Sequence, residues 1–251
     1  RLDEAVEAYK TSISLKPENA DTFNNIGVAF KSQGKLDEAI EAYKKSLSLK
    51  ADNAGVYYNL GFALRDNGKF NEAIQAYKKS ISLKPDYIDS YNNMGNILQD
   101  QGKFEKAIEV FIVALSLNPD YAEGYFNMGS SLNGIIFKKP NPCLQKIITS
   151  LLDKKTYVRP NDISNAAISL LKLEPNLYKY LVSQNIDDEG LKILEVIADL
   201  SNLPLLLKLM SICPITDIEL ECLLRWIRAS LLSEISYLSN FPELLKFQTA
   251  L

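Results

Sequence analysis

The stretch FNNIG at residues 23–27 returns as YYNLG at 57–61, YNNMG at 91–95 and YFNMG at 125–129. Its glycines, Gly27, Gly61, Gly95 and Gly129, are spaced by 34 residues. Ala5, Ala39, Ala73 and Ala107 keep the same interval, as do Tyr9, Tyr43, Tyr77 and Phe111. Pro17, Pro85 and Pro119 follow it too, with Ala51 in the remaining slot. Several residue types on one period over four copies mark a repeat architecture.

Within a copy the apolar pattern is helical twice over. Phe23, Ile26, Gly27 and Phe30 follow i, i+3, i+4, i+7, and so do Leu36, Ala39, Ile40 and Tyr43. Between the two runs lies SQGK, DNGK or DQGK, whose glycines (Gly34, Gly68, Gly102) suit the left-handed residue that ends a helix. Asp37 and Glu38 then favour the positive end of the next helix. Pro17, Pro85 and Pro119 stop the second helix, because proline cannot continue it. Each unit is therefore expected to be an antiparallel helical hairpin. The small residues Gly27 and Ala39 allow the helices to approach, and Ser12, Ser46, Ser80 and Ala114 do the same at the next contact. One hairpin cannot bury its own apolar face, so the copies must stack.

These residues resemble the tetratricopeptide-repeat (TPR) family, over roughly residues 1–136. The resemblance implies an all-α, right-handed TPR α-solenoid with a concave groove lined by the first helix of each pair, used for protein or peptide recognition. The expected divisions are a half repeat at 1–19, repeats at 20–53, 54–87 and 88–121, and an incomplete repeat at 122–137. Arg1–Lys16 is a second helix alone, so its partner helix is expected before Arg1. After Gly134 the turn is replaced by IIFKKPNPC, with Pro140 and Pro142 where a second helix would begin and Asn141 in the alanine slot.

Residues 138–251 read as a C-terminal all-helical domain that caps the solenoid. Leu144, Ile147, Ile148, Leu151 and Leu152 form one amphipathic stripe, and RPNDISNAAISLLK carries a helix start signal. Leu191–Leu200, Pro204–Ile212, Asp217–Ser236 and Pro242–Leu251 read as further helices. LPLLLKLMSIC is apolar nearly all round and reads as a central buried helix. The segments LLDKKTYVRPNDI, LPLLLKLMSICPI and PELLKFQTAL resemble the helical region that precedes a methyltransferase-type domain in bacterial TPR proteins. That resemblance implies a bacterial protein whose catalytic part lies beyond Leu251; whether a methyltransferase or glycosyltransferase domain follows is left open by these residues, and the unclustered cysteines suit a cytoplasmic protein.

Composition narrows the chemistry. There is no histidine among the 251 residues, which removes histidine-based acid–base and nucleophile systems and most zinc sites. No enzyme activity, cofactor or metal is expected in this segment, and the acidic run Asp187–Glu189 reads as a helix start. The single glycine after Gly134 is Gly190, which argues against a sheet domain with a nucleotide loop. Residues 1–129 hold 15 Lys/Arg against 18 Asp/Glu, and residues 130–251 hold 13 of each. Neither half has the basic excess of a nucleic-acid binder. No apolar run approaches the roughly 20 residues needed to span a bilayer. The three cysteines, Cys143, Cys213 and Cys222, read as reduced thiols.

The polar exception in the repeated stretch is an asparagine two places before each glycine: Asn25, Asn59, Asn93 and Asn127. Packed helices lie about 8–10 Å apart, and an extended chain rises about 3.3 Å per residue. About three peptide residues therefore pass each repeat. A primary amide offers donor and acceptor together, so the four asparagines could hold a peptide backbone at every third residue. The NN–apolar–G starts are similar to those of O-linked N-acetylglucosamine transferases, where the resemblance implies such a ladder. Asn24, Tyr58, Asn92 and Phe126, then Lys31, Arg65 and Gln99, are the expected specificity positions. The competing use of the same amide is bonding between neighbouring repeats. The family's chaperone-tail binders carry a lysine just before the ladder asparagine; Asn24, Tyr58, Asn92 and Phe126 stand there, which disfavours a carboxylate clamp. The expected function is recruitment of a protein or extended peptide for a larger bacterial transferase, with a scaffold or homo-oligomerisation spacer as the alternative. Lys44–Lys45 and Lys78–Lys79 read as outer-face charges, and Trp226 as a core or half-buried residue.

Overall fold

The computed structural model describes residues 2–15, 18–153, 158–182, 193–213 and 215–233. Among them are fourteen α-helices and no strand. The expected helix Pro242–Leu251, the Asp187–Glu189 run and the end of Asp217–Ser236 lie outside the described residues. The chain divides into two units, residues 1–124 and 125–251.

In the first unit, α1 (Leu2–Leu15) precedes three hairpins: α2 (Ala20–Ser32) with α3 (Leu36–Leu49), α4 (Ala54–Asp66) with α5 (Phe70–Leu83), and α6 (Ile88–Asp100) with α7 (Phe104–Leu117). Each first helix packs along its own second helix, and each second helix packs on the first helix of the next pair. The first helices also touch one another, α2 on α4 and α4 on α6.

The local signals act as the periodicity requires. Gly68 turns α4 into α5 at φ +74°, where a Cβ would be strained. Around it Gly68 N donates to Arg65 O at 2.9 Å and Lys69 N to Leu64 O at 2.8 Å, which satisfies the last carbonyls of α4. Helix starts differ between copies. Asn19 accepts from Asp21 N and Thr22 N, and Asn53 accepts from Val56 N. In the third copy the same place holds Tyr87, whose side chain makes no cap bond. Proline is not needed to end the second helix, since α3 stops at Leu49 with Ala51 in the proline slot.

The core follows the alanine and aromatic positions. Ala39, Ala73, Ala107, Tyr43, Tyr77 and Phe111 are all fully buried. At Gly61 a Cβ would lie 2.8 Å from Tyr77 Cε1, so only a bare Cα admits the ring. Burying one such aromatic contributes about 2–3 kcal/mol. The Ser80 hydroxyl accepts from the Ser90 hydroxyl of the following hairpin at 2.9 Å. Ser46 turns back to its own hairpin and donates to Ala20 O at 2.7 Å.

The second unit begins inside α8 (Ala122–Leu132) and continues with α9 (Pro142–Asp153), α10 (Pro160–Leu171), α11 (Pro175–Val182), α12 (Ile193–Ser201), α13 (Pro204–Ile212) and α14 (Ile218–Ser233). Proline opens α9, α10, α11 and α13, where its missing N–H has no helical partner to lose. Pro142 thus starts a helix, four residues after the place where the period would put one. The α13 helix packs on α9, α10 and α12, and buries Leu205, Leu206 and Leu209. It is central but one-sided: Ser211 is exposed and Lys208 pairs with Asp153. Trp226 is half-buried.

Candidate peptide-binding face

The side chains at issue stand on the first helices α2, α4 and α6. Helical spacing turns Asn25, Asn59 and Asn93 away from the core stripe, and Asn25 is exposed while Asn59 and Asn93 are half-buried. Their neighbours set how much of each amide is open. Asn59 Nδ2 donates to Asn24 Oδ1 of the preceding repeat at 3.2 Å. Asn93 Nδ2 donates to the Tyr58 hydroxyl at 3.4 Å and to Asp89 O at 3.0 Å, while Asn93 Oδ1 accepts from Arg65 Nη1 at 2.8 Å. The bond pattern is one of register: each ladder asparagine reaches the residue just before the preceding ladder position, 35 residues back. Asn25, in the first pair, only accepts weakly from Asn24 Nδ2 at 3.5 Å. Among the described residues, Asn25 Nδ2 and Asn59 Oδ1 are thus left open, while Asn93 is occupied on both ends.

The specificity positions separate in the same way. Asn24 and Tyr58 are half-buried. Asn92 is 2% exposed, and its Nδ2 donates to Glu123 Oε1 at 2.8 Å, so it holds a neighbour in place of facing solvent. Lys31 and Arg65 flank Phe62: Lys31 Nζ lies 4.4 Å and Arg65 Cζ 4.2 Å from its ring centroid. Arg65 is also tied to Asp66 at 2.9 Å. Gln99 is half-buried. Phe126 and Asn127 belong to the second unit, where Phe126 is 58% exposed.

Sequence reasoning passed over the residues next to these. Tyr58 stacks on Tyr87, with ring centroids 5.1 Å apart and planes at 23°. Tyr121 donates to Glu123 Oε2 at 3.4 Å. Burial, and then the Asp89 carboxylate, push the phenols of Tyr58 and Tyr87 up. Tyr121 is pushed up by burial, then by Glu123 and Asp89. The Asp89 carboxylate thus acts on all three phenols in the same direction. The signal was in the period: Tyr87 and Tyr121 are 34 apart and replace the capping Asn19 and Asn53. Below this layer the hydroxyls of Tyr43 and Tyr77 and Asn96 Oδ1 are buried with no hydrogen-bond partner. Burial pushes the Tyr43 phenol up to about 12.

Among the described residues no group of three or more His, Cys, Asp or Glu could hold a metal ion. None of the described helices is long and apolar enough to cross a membrane. Cys143 and Cys222 are exposed and Cys213 is buried, all three unpaired.

Comparison with known proteins agrees with the hairpin stack. A crystal structure of MamA is 29% identical with TM-score 0.54, over 61% of this chain and 88% of that chain. A second crystal structure of MamA protein is 27% identical with TM-score 0.53, over 61% and 82%. The MamA RS-1 ArsTM double mutant, 18% identical with TM-score 0.52, shares the fold over 61% and 84%. No curated protein matches the chain. The TPR repeat matches residues 1–34, 29–65, 63–102 and 95–132, more than half of the chain, and the chain belongs to the TPR-repeat family.

Proposed function

We propose that the first unit recognises a protein through an extended segment laid across α2, α4 and α6. The observation that carries this reading is the uneven use of the ladder amides. Asn25 Nδ2 and Asn59 Oδ1 have no hydrogen-bond partner among the described residues, and they stand one helical turn from the exposed Val28 and the half-buried Phe62. A donor and an acceptor on adjacent helices, about three peptide residues apart, suit the main chain of an extended peptide. Asn93, Asn92 and Arg65 then serve to hold the wall, and Lys31, Tyr58 and Gln99 meet side chains. The wider reading is a cytoplasmic bacterial protein in which this unit recruits substrates for a larger transferase; it rests on the sequence resemblance of residues 140–251.

A second reading has its own observation. The Asn59–Asn24 and Asn93–Tyr58 bonds join successive repeats, as a scaffold that binds nothing on this face would use them. Panning a display library of unstructured peptides on the intact chain separates the two. The recognition reading expects enriched peptides whose capture is lost in Asn25→Ala/Asn59→Ala while the melting temperature stays within a few degrees. Undiminished capture by that variant, with a lowered melting temperature, would support the scaffold.

A further inference from the structure

We infer that the side of this face formed by Tyr58, Tyr87, Asp89, Tyr121 and Glu123 takes the ammonium or guanidinium of a lysine or arginine in the bound segment. This rests on the peptide-recognition reading above and names the chemistry of its partner. Tyr58, Tyr87 and Tyr121 are half-buried and Asp89 and Glu123 are exposed, so the rings and carboxylates are open to solvent together. Aromatic faces attract cations through the ring quadrupole, and the attraction strengthens where a carboxylate stands beside the ring.

The parts are held in place before any ligand arrives. Glu123 is fixed from two sides, by Asn92 Nδ2 at 2.8 Å and by the Tyr121 hydroxyl at 3.4 Å. The Tyr58 ring is fixed by its stack on Tyr87 and by the Asn93 amide at its hydroxyl. Asp89 is exposed in the first turn of α6, and its carboxylate has no hydrogen bond or ion pair among the described residues. Such a carboxylate is an unfilled acceptor.

A second, independent observation points the same way. Tyr77 is fully buried and packs under Tyr58, with ring centroids 5.9 Å apart and planes at 51°. Its hydroxyl has no partner and lies near Tyr58 and Arg65. The Tyr77 phenol oxygen is a further acceptor beneath the Tyr58 ring. The protein also places an ammonium of its own against this cluster: Lys84 Nζ lies 5.2 Å from the Tyr87 ring centroid. Arg65, the nearest guanidinium, is already engaged by Asp66 and Asn93.

The test is a backbone amide NMR titration of the intact chain with the N-acetyl, N-methylamide derivatives of lysine, arginine, norleucine and glutamate. Both cationic probes are expected to give saturable shifts at Tyr58, Tyr87, Asp89, Tyr121 and Glu123. Norleucine, which keeps the alkyl stem without the charge, should bind about tenfold more weakly or worse. Asp89→Asn/Glu123→Gln should abolish the cationic shifts; Gln keeps the oxygen that Asn92 binds, so the fold is retained. Equal shifts from norleucine, cationic shifts elsewhere only, or shifts that survive in the double variant would overturn the assignment. Peptides captured on the first-helix face without preference for basic residues would overturn it alone. Capture that ignores Asn25→Ala/Asn59→Ala would overturn the peptide-recognition reading beneath it.

Discussion

Replacing Gly61 by alanine tests the packing that holds the first-helix face in shape. At an exposed mid-helix position this substitution stabilises by about 1 kcal/mol, because glycine loses more backbone freedom on folding. Here the new Cβ would stand 2.8 Å from Tyr77 Cε1 and 2.9 Å from Cδ1, against the roughly 3.5–4.0 Å of an optimal carbon contact. The ring has nowhere to retreat: Tyr77 is fully buried and wedged under Tyr58. Overpacking of this kind costs about 1–3 kcal/mol, and the rigid, enclosed ring places Gly61→Ala at the upper end. Set against the propensity gain, the net loss is about 1–2 kcal/mol. Urea denaturation followed by far-UV circular dichroism reads the helices of both units, and fluorescence of the single Trp226 reads the second unit alone, so the stack is obtained from the difference. The double variant Gly61→Ala/Tyr77→Leu should lose less than the sum of its parts, since the shorter side chain vacates the space. A Gly61→Ala protein as stable as the parent, or losses that add in the double variant, would mean that the Tyr77 ring does not limit the approach of α4 and α5.

Other substitutions probe the same layers. Tyr77→Phe removes a buried hydroxyl with no partner, and Phe111 already occupies that repeat position. An unmet buried hydroxyl costs about 1–3 kcal/mol, so chemical denaturation should find the variant unchanged or more stable; a loss above about 0.5 kcal/mol would mean that the hydroxyl has a ligand. Ala73 is fully buried, and Ala73→Leu should destabilise by about 1–3 kcal/mol in a thermal melt. In the second unit, hydrogen bonds from Lys179 and the Tyr180 hydroxyl hold the Asp199 carboxyl below its ordinary range. A depressed folded pKa contributes stability above the unfolded value of about 3.9 and loses it as pH falls through the folded one. Acid titration of Trp226 fluorescence should therefore show a shallower loss below about pH 4 in Asp199→Asn than in the parent.

The hairpins were legible because their causes are local and periodic. Apolar spacing, a turn glycine and an alanine against an aromatic are all properties of one copy, and α13 spans Pro204–Ile212 as its pattern requires. The amides were legible only in part. Helical spacing turns Asn25, Asn59 and Asn93 from the core, yet their bonds reach the preceding repeat, and that offset is set by how the hairpins stack. Asn92 occupies the same helical position as Asn24 and Tyr58 but is buried, because Glu123 of the next copy accepts its amide. Tyr87 and Tyr121 sit at cap positions, where a search for groove residues on helix faces does not look.

An extended segment bound across α2, α4 and α6 would shield their backbone amides from solvent. Hydrogen exchange of the intact chain, with and without a peptide enriched by panning on it, measures this directly. Slowed exchange is expected in α2, α4 and α6, strongest around Asn25, Asn59 and Tyr58, with α3 and α5 unchanged. Protection confined to α3, α5 or residues 142–233, with none on the first helices, would contradict it.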